Sequence, residues 1–371
     1  LLDMELNEWA KNARDGQEKL DEIAKGSKFM SHDMGEYCNC DGQKLWIDQE
    51  LEENANYIIM AYAVWKRTGN KETVQKNAEL IKQLMDFILC TDAEGDGIAS
   101  YTCHSTLDDA CLPLRTGTRL IYIAVKCIAA CKAGVEILKA CGIKDTLKYE
   151  KFCKTGLETI EQKAWKNDHY AACLAEIEGC DSPHIYTQNA LVLLKMVGYD
   201  VGLDKNRVMR DILVSTEKTL GRYGCRHAEY VDTVTLDHSV HGQLLNAPLV
   251  GWISMNQTRD AAAMYYGIDM LDMCSRYWDW QTTVNSREYT LFIETFYGNN
   301  LIFYPRGLSV YGIFEAVLGY SENRDDGKEA MNPVRAYINV PLFSKADWKN
   351  GTVPIVKTYL KDDKIAYELI E

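Results

Sequence analysis

Apolar residues recur three and four apart in long blocks from the start of this chain to about residue 320, a period that belongs to amphipathic helices and fixes the fold class as all-α. The blocks predict helices near 2–24, 50–68, 72–90, 117–141, 146–166, 184–197, 206–221, 252–266, 267–278 and 308–319. The second carries the plainest stop signal: Lys66 and Arg67 in the last turn and Gly69 just beyond it complement the carbonyl end of a helix. Past residue 333 the period changes to two over Arg335–Val340, Val353–Tyr359 and Ile365–Ile370, which predicts a small antiparallel β appendage. The expected organisation is therefore a helical domain over 1–333 with a β-rich appendage over 334–371 packed on it.

A chain of 371 residues with 47% hydrophobic content can bury a large core. Its net charge of −13 argues against nucleic acid or an anionic membrane as partner, because those depend on clustered Lys and Arg. No apolar run is long enough to span a bilayer, and the first residues lack the layout of a signal peptide. Thirteen cysteines scattered through apolar stretches fit reduced thiols, so a cytoplasmic location is expected. Cys38 and Cys40 have neither the spacer nor the second pair that a zinc site needs.

The connections are long, polar and rich in Gly and Asp, and such loops on a rigid helical frame are where sites are built. One of them places Thr106, Asp108 and Asp109 between two helical blocks; adjacent carboxylates in extended chain face opposite ways, so one is free for chemistry while the other caps the next turn. A second holds His32 and Asp33, donors and acceptors suited to sugar hydroxyls, although a His-Asp pair is also an ordinary turn. In a third, Pro305 and Gly307 fix the backbone around Arg306. Asp92, Glu94 and Asp96 imitate the opening of a calcium loop, but Cys103 stands where the closing Glu belongs, which leaves only a looser calcium site near Asp92 and Asp96. Phosphate-loop, nucleophile-elbow and zincin motifs are absent.

In order and approximate spacing, SHDMG, TLDDA with LIYIAVKCIAA, DSPHIYTQNALVLL, WISMNQTRDAAAMYYGI and FYPRGLSVYGI resemble the helical domain of family 52 glycoside hydrolases, the β-xylosidases, and more distantly family 116. The resemblance implies an (α/α)6 toroid that cleaves a β-linked xyloside, glucoside or glucuronide with retention. It makes Asp108, in Thr106-Leu107-Asp108, the general acid/base, with Thr106 and Asp109 beside the sugar. His32, Asp33 and Arg306 would bind its hydroxyls, and Glu294 is the nearest match to a glutamate that precedes that arginine. The family's nucleophile precedes a segment like Leu6–Asn12, so the nucleophile and an N-terminal β-sandwich are expected outside this chain, on a longer polypeptide or a partner subunit. Ten helices where six pairs need twelve agree with an incomplete toroid. Failing an outside nucleophile, Glu53 would act as base on water, with inversion. Two rivals remain: a toroid that binds sugars or partners without catalysis, and an isomerase or lyase using His104, His184, His238 or His241. No cofactor is required on any of these readings.

Overall fold

The computed structural model describes residues 2–32, 49–99, 105–107, 110–231, 239–240, 243–244, 251–285, 295–296 and 309–370. The architecture is predominantly helical, with small antiparallel sheets. Among the described residues, nine longer helices organise it: α1 (Leu2–Ala10), α2 (Glu50–Thr68), α3 (Ala78–Cys90), α4 (Ile121–Ala140), α5 (Leu147–Thr159), α6 (Lys205–Thr219), α7 (Ile253–Tyr265), α8 (Met273–Asp279) and α9 (Tyr311–Val317). No helix among the described residues is long and apolar enough to cross a membrane.

Helix α2 starts with Glu50, Glu52 and Glu53, ends with Lys66 and Arg67, and is closed by Gly69 at φ 73°, a left-handed cap that glycine adopts without strain. Both ends thus complement the helix dipole. Helix α4 is buried along almost its whole length and packs against α2, α3 and α5. A helix buried on most of its surface must be surrounded, so among the described residues α4 with α2 forms the centre. Glycine sets one of these approaches: a Cβ on Gly156 of α5 would lie 2.5 Å from the Gly97 carbonyl, and one on Gly97 would lie 2.2 Å from the Gly156 amide. Only two facing glycines let α5 close onto the acidic loop.

Several helices are shorter than their apolar period suggests, each for a local reason. The block at 2–24 ends at Ala10, where Lys11 and Asn12 amides bond to Glu8 and Trp9 carbonyls in tighter turns. Arg14–Asp15 then pairs antiparallel with Lys28–Phe29. The 72–90 block splits at Asn77, whose side chain donates to the Thr73 carbonyl (2.9 Å) and to Asn7 (3.0 Å), competing with the helical backbone. At 184–188 the backbone pairs instead with 227–228, through the Ile185 amide and the His227 carbonyl (3.2 Å), and helix begins only at Asn189.

The C-terminal strands are β1 (Ser321–Asn323), β2 (Lys328–Ala330), β3 (Asn339–Pro341), β4 (Ile355–Lys361) and β5 (Lys364–Ile370). β1 and β2 form a hairpin, and β3, β4 and β5 form an antiparallel sheet in that order. Asp362 and Asp363, both at positive φ, make the two-residue turn between β4 and β5, the geometry that matches strand twist. Arg335 joins this region to the segment before α8 through Asp269 (2.6 Å) and Asp272 (2.7 Å).

Candidate functional site

Two neighbouring carboxylates in the first turn of α2 meet different surroundings. Glu52 is buried with both oxygens engaged: Oε1 accepts from the Tyr122 hydroxyl (2.5 Å) and pairs with Lys126 Nζ (2.7 Å), while Oε2 accepts the Thr106 amide (2.7 Å). Tyr122 and Lys126 stand one turn apart on α4, so they face α2 together, and Lys126 also donates to the Tyr122 hydroxyl (2.8 Å). Burial would drive the Glu52 carboxyl up, but the Lys126 charge and the bonds from Lys126, Tyr122 and Thr106 outweigh it and hold Glu52 below the usual carboxylate range.

Glu53 goes the other way. Burial, with the charge of Glu52 alongside, raises its carboxyl to about 7, against weaker opposition from the Asn56 amide (3.1 Å), Lys126 and His32. Two groups of one chemistry driven apart by their environments are what general acid–base chemistry requires.

His32 comes to this place because Asn54, fully buried one residue further along α2, clips the preceding strand down. Its carbonyl oxygen accepts the Met30 amide (2.7 Å) and its amide donates to the Lys28 and Leu84 carbonyls (both 3.2 Å). Trp9 adds a bond from its indole to the Ser31 carbonyl (2.9 Å). Thr106 sits in a turn where the Ser105 hydroxyl accepts the Leu107 amide (3.1 Å). Of the residues singled out from the sequence, His32, Thr106 and Glu53 are therefore brought together, whereas Asp33, Asp108, Asp109, Glu294 and Arg306 lie outside the described residues. Sequence reasoning missed Glu52, Tyr122 and Lys126. The signal was there: one lysine, four residues after a tyrosine, inside the apolar block LIYIAVKCIAA.

A second polar group lies behind the first. The Tyr122 and Tyr186 rings are 6.0 Å apart, Tyr186 hydrogen-bonds His227, and the His227 ring meets the edge of Trp252 at 4.9 Å. Burial depresses His184 to about 4 and His227 to about 3. His184 is spent within the fold: its Nδ1 accepts the Tyr186 amide (3.2 Å) and its Nε2 faces the Ala171 carbonyl (3.1 Å). His104, His238 and His241 lie outside the described residues.

The acidic loop is cross-braced by the protein itself. Asp92 accepts the amides of Asp96 (3.1 Å) and Gly97 (2.8 Å), and Asp96 pairs with Arg119 and, at 2.8 Å, with Lys163. Among the described residues, no three His, Cys, Asp or Glu side chains gather as metal ligands. Ten of the cysteines are described, and no disulfide joins any two of them.

Residues 22–191 match the family model of the Glutaminase A six helical-hairpin domain, which thus takes in α2, α3, α4, α5 and the whole Glu52–Glu53 group. No curated protein matches the chain. Among solved structures, the chain is similar to a GH78 family rhamnosidase of Bacillus sp. GL1, with TM-score 0.50 and 13% identity over 86% of this chain. An uncharacterized conserved protein from Thermus thermophilus aligns at TM-score 0.46 and 12% identity, covering 73% of this chain and 77% of that one. The chain spans 32% of the rhamnosidase's length, and at this identity the likeness is one of fold. Neither the family model nor the rhamnosidase belongs to families 52 or 116, so the similarity found is to a six-hairpin helical domain and to the fold of a different glycoside hydrolase.

Proposed function

We propose that this chain is the (α/α)6 toroid of a glycoside hydrolase, with Glu53 as general base on water and Asp108 as general acid. The observation that carries the reading is the opposed state of Glu52 and Glu53 at the start of α2: a carboxyl raised to about 7 is poised to exchange a proton near neutral pH. The Thr106 amide, bound to Glu52, ties the turn leading to Asp108 to the same helix end. His32 and Thr106 then bind substrate hydroxyls, with Asp33, Asp109, Glu294 and Arg306 completing the sugar site. A base inside the chain removes the need for an outside nucleophile, and it makes the reaction inverting. The rhamnosidase fold supports the glycosidase class without choosing the sugar.

The family model favours a second reading, hydrolysis of the glutamine side-chain amide, in which the same water and base would serve. One panel separates the two: aryl α-L-rhamnoside, β-D-xyloside, β-D-glucoside and β-D-glucuronide beside L-glutamine. The expected result is release of aryl alcohol from at least one glycoside, lost by roughly 10²–10⁴-fold in both Glu53→Gln and Asp108→Asn with folding retained. Proton NMR of the first sugar released should show the inverted anomer; retention would require a carboxylate nucleophile instead of a base. Ammonia from glutamine with no glycoside turnover would replace this reading by the second.

A further inference from the structure

We propose that Glu52 is a positioning residue, whose one carboxylate fastens the turn leading to Asp108 onto α2 and whose charge sets the field in which Glu53 works. The inference rests on the reading of Glu53 as the base. Glu52 cannot itself take the reacting proton, because Oε1 is held by Tyr122 and Lys126 and Oε2 by the Thr106 amide, and the side chain is buried. Its three partners come from two parts of the chain, α4 and the 105–107 turn. Burying a charged pair is expensive and stabilises a fold no better than a well-packed apolar pair would, so an ion pair kept beside a candidate base has a use beyond stability.

Among the described residues, the groups facing Glu53 are Glu52 and Asn56 on its own helix, Lys126 from α4, and His32 from the segment that Asn54 clips. Glu52 adds a like charge next to Glu53 and so favours its protonated form, while Lys126 opposes it. Neutralising one or the other must therefore move Glu53 in opposite directions. A merely structural role for the pair predicts no such opposition.

The test is a ¹³C-carboxyl NMR titration of Glu53 in the full chain, with its signal assigned by its loss in Glu53→Gln and no substrate needed. In Glu52→Gln the titration should fall by about one unit or more, a tenfold change in proton affinity. In Lys126→Gln it should rise by a similar amount. The acid limb of kcat/KM should follow in both. A folded variant of either kind in which Glu53 titrates as in the wild type overturns the proposal, and if Glu52→Gln fails to fold, Lys126→Gln carries the test alone. Opposite shifts in a chain that cleaves no glycoside remove the glycosidase reading and leave Glu52's electrostatic role standing; unshifted titrations in an active glycosidase do the reverse.

Discussion

At the scale of single residues, Glu52 and Glu53 show how little identity says about behaviour. Adjacent in sequence and alike in chemistry, they differ because Lys126, Tyr122 and the Thr106 amide all reach Glu52, whereas among the described residues Glu53 accepts one amide bond. Stability should report the difference. Glu53 titrates higher folded than unfolded, so its contribution is full below about 4.5 and is lost as pH rises through about 7. Asp211, also raised to about 7, acts in the same sense; His184 and His227, depressed by burial, act in the opposite sense, their contribution being lost as pH falls below 6.5. Glu53→Gln removes only the Glu53 part, so the variant should gain on the wild type between pH 5 and pH 8, by a few degrees in Tm at the upper end. Equal differences at both pH values would refute the raised carboxyl.

At the scale of elements, close contacts aim the site. Asn54 holds the strand before His32 with two hydrogen bonds from inside the core and α3 with a third, and Asn54→Leu would strand the Met30 amide and two carbonyls without solvent to replace it. The expected cost is about 2–4 kcal/mol in urea unfolding, with glycoside turnover reduced through a misplaced His32. Gly156→Ala is expected to cost about 1–3 kcal/mol, because its new methyl meets the Gly97 carbonyl rather than a side chain that can move. Unchanged urea midpoints in either variant would deny these contacts their part. Apolar period found the helices but not these clips, since an asparagine or a glycine inside a helix gives no sign of its distant partner.

At the scale of the whole molecule, Arg67 near the end of α2 binds both Glu315 oxygens on α9 (2.6 Å each) and the Met196 carbonyl (3.1 Å), with Glu322 on β1 at 3.7 Å. Beside it Lys66 pairs with Asp325 at 2.9 Å and its carbonyl accepts the Arg324 amide. The same helix thus carries the candidate site at its first turn and gathers the C-terminal region at its last. Arg67→Met takes the cation from the buried Glu315 carboxylate, while Glu322 keeps Lys345 (2.7 Å) and Arg324 (3.0 Å), and should cost about 3–5 kcal/mol by chemical denaturation. Because the defect lies at the far end of α2, the Glu53 titration should be unaffected; a shift there would mean that the two ends are coupled.

What the sequence determined by itself was mostly what depends on neighbours in the chain. Apolar repeats at 50–68 and within 117–141 could end only as buried helices, Gly69 with Lys66 and Arg67 had to close the first, and the alternation near 355–370 had to make strands. The loops at His32 and Thr106 stood out as candidates for the same reason: they are polar interruptions in a helical frame. Which carboxylate would be held low and which driven up was not legible, because that depends on charges about seventy residues away, as Lys126 is from Glu52. Electrostatic interaction falls with distance through space and takes no account of distance along the chain, so only the packing of α4 against α2 could decide it.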